Sequence, residues 1–379
     1  MGTIFPGIRG AALSAAVFLC AGVGHAQTPL LPGITSPVAL PAFEQTAPSC
    51  TAPPGLQRQL VFFQDNDRQF MQGVRFGLEK AAAKHGLSFA NELADNDAAK
   101  MMAGVDAAIK AHAGAIIAAP VDAIGLAPSL QAAISAGSYV GTVVPPPAVT
   151  ILNAPQYLTG ERLALAAADY ISRTLNGKAN VVLLTHDSLQ FLSPRFTAMR
   201  DVLGKLPGVT IVADISPATV DAAGGYETMK LILLAHPKID VVLGADTVVI
   251  GALKALREAG LASPQQFLGG IDGEPDAIAE LRDSQSPYKV SVSLASPVFG
   301  YALGHYAADW LEGKSVPQAM DILPKVLTPS NLASYEADLK DPAAVFSDTG
   351  KHREYLREYG NICYDSRDRF INFPWSSDR

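Results

Sequence analysis

Cysteine is scarce in this chain, with three among 379 residues. Cys50 and Cys363 stand near opposite ends, and Cys20 lies in an amino-terminal apolar run. Two cysteines cannot build a structural zinc site, and His85, His112, His186, His236, His305 and His352 show no HxxH or HxxxH spacing, so neither a metal nor another cofactor is expected. Cations are also few: 29 Lys and Arg stand against 36 Asp and Glu, with no basic stripe along any expected helix. Nucleic acid and anionic membrane are therefore poor partners. GxSxG, a Walker loop, HExxH and a GxGxxG after the first strand are all missing, which sets catalysis below binding. The pairs Asp65-Asp67 and Asp95-Asp97 lack the glycine and distal glutamate of a calcium loop.

No apolar run reaches the roughly 20 residues that span a bilayer. The longest, AALSAAVFLCAGVG, follows Arg9 and closes on Gly24-His25-Ala26. That is a secretory signal pattern, with cleavage expected after Ala26 and a periplasmic destination. Leu19 rather than a small residue precedes Cys20, which argues against a lipid anchor. Without Arg9 the remainder has 28 basic and 36 acidic residues, a net charge of −8. In an oxidising compartment the two remaining cysteines are expected to pair, tying the amino-terminal arm to the carboxy-terminal tail.

Residues 27–57 are rich in Pro, Ser, Thr and Ala without an apolar period, so they read as an extended arm. From Leu60 short apolar runs alternate with helical patterns. LVFF is a strand, and Phe70, Val74, Gly77, Leu78 and Ala81 then fall at helical spacing. GAIIAAP, YVGTVV, NVVLLTH, VTIVADI, IDVVLGA and QFLGGID continue the strands, with helical segments between them. Two βα halves of similar length imply two doubly wound lobes of class α/β, which bind ligands beyond the carboxyl ends of their strands. Acidic residues cluster there. Asp65, Asn66 and Asp67 are expected to cap the following helix, and Asp122 and Asp246 are expected to be mostly caps. Arg68, which has no capping role, and Asp272, followed by Gly273, are the stronger ligand contacts.

Order and motifs from about Leu60 to Asn331 resemble the type I periplasmic binding proteins of the ribose-binding class, soluble receptors of bacterial ABC importers. The resemblance rests on RQFMQGVRFG, GAIIAAPVDAIGLAPSLQAAISAG, AHPKIDVVLGADTVVIGALKALREAG, FLGGIDGEPDAIAELRDS and SPVFGYALGHYAADWLEGKSVP. It implies two Rossmann-like lobes joined by a three-segment hinge, closing on a ligand held by aromatic rings and by Asp, Asn and Arg side chains. Carried over by residue, the family's Asn-Pro-Phe-Phe falls on Arg68-Gln69-Phe70-Met71, its second-lobe arginine on Arg195 and its strand-end aspartate on Asp272. The full expected site is Asp67, Arg68, Phe70, Met71, Val144, Gln156, Phe191, Arg195, Asp246 and Asp272.

Several positions depart from that pattern. Val144 and Pro145-Pro146-Pro147 stand where an aspartate ends the strand, and Pro155-Gln156 replaces Asp-Asn. Ala245 replaces an asparagine, Ala295 a glutamine, and Val220 an aromatic. The losses point to a pocket less polar than a sugar site. Arg68 and Arg195 would then hold a carboxylate or phosphate, with Phe70, Met71, Val144 and Phe191 over an apolar body. A sugar or sugar derivative remains the ligand implied by the family. The expected partner is an inner-membrane ABC permease, or alternatively a sensor kinase or chemoreceptor, served by a monomer.

The expected organisation is a signal peptide (1–26), the arm (27–57), an amino-terminal lobe (58–150), a carboxy-terminal lobe (151–290), returns to the first lobe (291–319) and second lobe (320–335), and a tail (336–379). PPPAVTILNAP is placed at the first hinge crossing, where its prolines restrict motion. KHREYLREYG in the tail reads as a short helix.

Overall fold

The computed structural model describes residues 2, 39–143, 147–188, 192–373 and 375. The signal pattern of residues 1–26 therefore lies outside the described residues apart from Gly2, as do Val144, Pro145, Pro146 and Phe191.

The first lobe starts with β1 (Gln57–Gln64), α1 (Gln69–His85), β2 (Ser88–Leu93), α2 (Ala98–Lys110), β3 (Ala113–Ala118), α3 (Ala123–Ala136), β4 (Tyr139–Val143) and β5 (Thr150–Asn153). The second contains α4 (Gln156–Thr174), β6 (Ala179–Leu184), α5 (Ser193–Leu203), β7 (Val209–Ile215), α6 (Ala222–Ala235), β8 (Val241–Leu243), α7 (Asp246–Glu258), β9 (Phe267–Asp272), α8 (Pro275–Arg282) and β10 (Tyr288–Ser293). The chain then returns through α9 (Ser296–Leu311), β11 (Ala319–Ile322) and β12 (Lys325–Leu327), and ends in α10 (Leu332–Lys340), α11 (Pro342–Ser347), α12 (Thr349–Tyr355), β13 (Leu356–Tyr359) and a 3-10 turn, Tyr364–Arg369.

One sheet has the order β13-β11-β5-β4-β3-β1-β2 and the other β12-β10-β9-β8-β6-β7. Their parallel cores, 2-1-3-4-5 in each lobe, are the same doubly wound topology built twice. Each reverses direction once, between β1 and β3 and between β6 and β8, and a crevice opens at such a switch point. All residues of β3 and β8 are buried, as expected of parallel strands covered by helices on both faces.

The chain crosses between sheets at Ala154-Pro155, Leu294-Ala295 and Leu323-Pro324. Two expectations change here. Pro147 precedes β5 rather than the crossing, so Pro155 is the proline at the first crossing. β11, expected with the second lobe's return, lies in the first sheet beside β5, and β12 alone joins the second.

α9 is buried on nearly all sides, and α1 packs closely along it. A Cβ on Gly77 would come within 2.2 Å of the Pro297 carbonyl oxygen, and one on Gly300 within 2.3 Å of the Val74 carbonyl oxygen. Backbone meets backbone there, so only glycine fits at either position.

Cys50 and Cys363 form a disulfide with a Cα separation of 6.2 Å. KHREYLREYG is not one helix: α12 ends at Tyr355 and Leu356–Tyr359 pairs antiparallel with β11. The free edge of β11 and the burial of Leu356 outweigh local helix propensity.

Candidate functional site

The second-lobe half of the site starts with a close helix contact. A Cβ on Gly160 of α4 would lie 1.9 Å from the Arg195 carbonyl oxygen, so this glycine lets α5 approach. Arg195, in the first turn of α5, is thereby buried, with 5 % of its surface exposed. Its Nε donates to Oε1 of the half-buried Gln156 at 2.8 Å. Among the described residues no carboxylate lies within 4.0 Å of its guanidinium. Burial lowers the guanidinium's affinity for its proton, and Asp272 is the charge that opposes this.

Asp272 ends β9 with a φ of 120°, a conformation that disfavours any side chain. Burial pushes its carboxyl up, while Arg195 and Arg68 pull it down. Arg68 belongs to the first lobe, so guanidinium groups from both lobes act on one carboxylate. Glu274, two residues on and half-buried, is pushed up to about 7 by burial and by Asp272, Asp246 and Asp276, against Arg68.

The strained turn is held from beneath by Asp246. This residue is fully buried, and its Oδ2 accepts from Gly273 N at 2.8 Å, Glu274 N at 2.9 Å and Ser291 Oγ at 2.7 Å. Its Oδ1 accepts from the Tyr288 hydroxyl at 2.6 Å. Burial pushes the Asp246 carboxyl up to about 6 despite these donors. Asp246 is thus neither the cap nor the ligand contact expected. Ala245 holds the N-cap position of α7, and Asp246 is a support for the Asp272 turn.

In the first lobe, Arg68 is exposed and its Nη2 lies 3.2 Å from Asp65 Oδ2. Asp65, Asn66 and Asp67 do not cap the amides of α1 as expected. The N-cap position is Arg68 itself, without a side-chain cap. Asn66 Oδ1 accepts from Arg68 N at 3.2 Å, and Asp67 Oδ1 accepts from Gln64 Nε2 at 3.2 Å. These local bonds fold the loop on itself. Asp122 does cap α3, accepting from Ile124 N and Gly125 N at 3.0 Å each.

Phe70 is half-buried with its ring 5.7 Å from that of Phe299. Met71 is fully buried in the core, where it cannot touch a cleft ligand as expected, because it shares the inward helix face with Val74 and Leu78. Asp67 is exposed beside Arg75, 3.5 Å away.

Two residues here were not among the expected contacts. Glu274 follows the Asp272 turn, and His186 follows β6. His186 is 3 % exposed and among the described residues its Nε2 has no hydrogen-bond partner. Burial lowers its pKa, as does Arg195, against Asp187. Its place at the second lobe's switch point was the available sequence signal. Asp187 is held elsewhere, 2.5 Å from Arg200 Nη2.

Among the described residues no group of three His, Cys, Asp or Glu side chains is arranged to hold a metal ion, and no helix is long and apolar enough to cross a membrane.

Two doubly wound sheets, three crossings and a charged cluster at both strand-end faces coincide with one sequence family: residues 60–320 match the model of the periplasmic binding protein domain. The chain belongs to that family. The ribose import binding protein of Bacillus subtilis (strain 168) is 26 % identical over 257 residues, covering 66 % of this chain and 80 % of that one. A protein named for rhizopine binding in Rhizobium meliloti is 28 % identical over 287 residues, covering 71 % and 89 %. The solved Caulobacter myo-inositol binding protein, bound to myo-inositol, is 25 % identical with a TM-score of 0.60, covering 74 % of this chain and 97 % of that one. In this periplasmic binding protein domain the switch-point loops carry Arg68 and His186, the end of β9 carries Asp272, and α5 carries Arg195.

Proposed function

We propose that the chain is a periplasmic solute receptor of an ABC importer, closing its lobes on a small polyhydroxylated ring compound such as a sugar or cyclitol. The observation that carries this is the alternation of charge across the cleft. Arg68 is 3.2 Å from Asp65 and acts electrostatically on the Asp272 and Glu274 carboxyls, and Arg195 acts likewise on Asp272. A hydroxyl both donates and accepts, so it suits a wall of interleaved carboxylates and guanidiniums better than an anion does. The names of the relatives support the same class, since ribose and myo-inositol are both neutral polyols.

Each lobe contributes part of the site, so a ligand between them favours the closed form, which an inner-membrane permease then reads. Asp272 and Arg195 fix the ligand on the second lobe, and Arg68 and Phe70 complete the wall from the first. No turnover is assigned to the site.

One observation favours a second ligand class. Among the described residues Arg195 is buried without a carboxylate in contact, and a ligand carboxylate would supply one. Native mass spectrometry of the protein as purified separates the two. A bound mass matching a neutral polyol supports the first class, and an organic or sugar acid supports the second. An amino acid or peptide would overturn both.

A further inference from the structure

The chain continues past residues 60–320, the span of the family model, and the continuation meets the hinge at every crossing. At the first, Asn153 at the end of β5 donates to Asp321 Oδ1 at 2.8 Å, and the hydroxyl of Tyr359 in β13 donates to Asp321 Oδ2 at 2.9 Å. At the second, Ser293 at the end of β10 shares a hydrogen bond with the Tyr335 hydroxyl of α10, and its Oγ accepts from Ala295 N at 3.0 Å. Ala295 sits in the left-handed region, with φ 47° and ψ 55°. At the third, Leu323 N donates to the Tyr355 carbonyl oxygen at 2.8 Å.

The same segment is anchored in both lobes. Glu336 of α10 pairs with Arg282 of α8, and Lys325 of β12 reaches Glu354 at 2.6 Å while lying 4.0 Å over the Tyr355 ring. On the first lobe, the Phe346 ring lies 4.5 Å from His305 and 5.6 Å from Tyr301 of α9. β13 extends the first sheet, and the Cys50–Cys363 disulfide fastens the chain beyond β13 to the arm.

We infer that residues 332–359 form a brace across the hinge that limits how far the lobes open. Opening turns on backbone rotation at the few residues where the chain crosses. A third body bonded at each crossing must give way for that rotation. Asp321, Tyr335 and Tyr355 are exposed by 2 %, 3 % and 1 %, so solvent does not readily replace the bonds lost. The two anchors make the segment a fourth connection between lobes that otherwise share three. The brace rests on the hinge alone and is independent of which ligand the cleft takes.

Small-angle X-ray scattering of the full chain, refolded from urea to strip bound solute, tests this. The variant Tyr335→Phe/Glu336→Gln/Tyr359→Phe removes the side-chain ties to Ser293 and Asp321, weakens the one to Arg282 and keeps the packing. Its scattering should shift to a larger radius of gyration and maximum dimension with unchanged far-ultraviolet circular dichroism. Phe346→Ala, which frees the anchor in the first lobe, should shift it in the same direction. Scattering of the triple variant that matches the wild type overturns the inference, whether or not Phe346→Ala shifts it.

Discussion

Asp246→Asn isolates the buried support beneath the Asp272 turn. The carboxyl is fully buried, and its pKa rises from an ordinary 3.8 to about 6. The unfolded chain keeps the ordinary value, so the folded state prefers the protonated form. That contribution to stability is complete below about pH 4 and is lost as pH rises through about 6, where the buried group must ionise. A displacement of about two units corresponds to roughly 3 kcal/mol. Asparagine keeps an oxygen for Gly273 N and Glu274 N but does not titrate. Urea unfolding followed by far-ultraviolet circular dichroism, on wild type and Asp246→Asn at intervals from pH 4 to pH 7, gives the stability difference directly. The wild type's advantage should shrink by roughly 3 kcal/mol across that range. A difference that stays flat would show that the carboxyl titrates normally, and the argument from burial would fail.

Gly160→Ala should cost about 1–3 kcal/mol, measured by urea unfolding, because its methyl group meets the Arg195 carbonyl oxygen; wild-type stability would mean that α4 and α5 can part freely. Cys363→Ser should lower the melting temperature through a loss of about 2–4 kcal/mol, since the bridge closes a sequence separation of 313 residues. Solute binding should survive this change, and unchanged melting would count against the bridge as a stabiliser.

The alternation of strand and helix was legible because strands buried on both faces read as unbroken apolar runs, as in GAIIAA and NVVLLT. Asp272 was legible from its place at a strand end before Gly273, Arg195 was reached by resemblance, and the structure sets the two within electrostatic range of one another. The role of Asp246 was not legible, because Tyr288 and Ser291, more than 40 residues away, decide it. At that distance a strand-end aspartate cannot be told from a cap. Met71 was misplaced for a related reason. Motif position put it beside Phe70, but one step along a helix turns a side chain by about 100°, and that step carried it into the core. The strand at Leu356–Tyr359 depended on the open edge of β11, a partner no local window contains.

Isothermal titration calorimetry decides whether the interlobe cluster binds a polyol. Protein stripped of bound solute is titrated with ribose, myo-inositol and glucuronate, as wild type and as Arg195→Met. Hydrogen bonds from a charged group are worth about 1.5–3 kcal/mol, so the variant should bind roughly 10- to 100-fold more weakly. Saturable binding of a neutral polyol that weakens by that factor is the expected result. No saturable heat with any of the three, or equal affinity in wild type and variant, would contradict it.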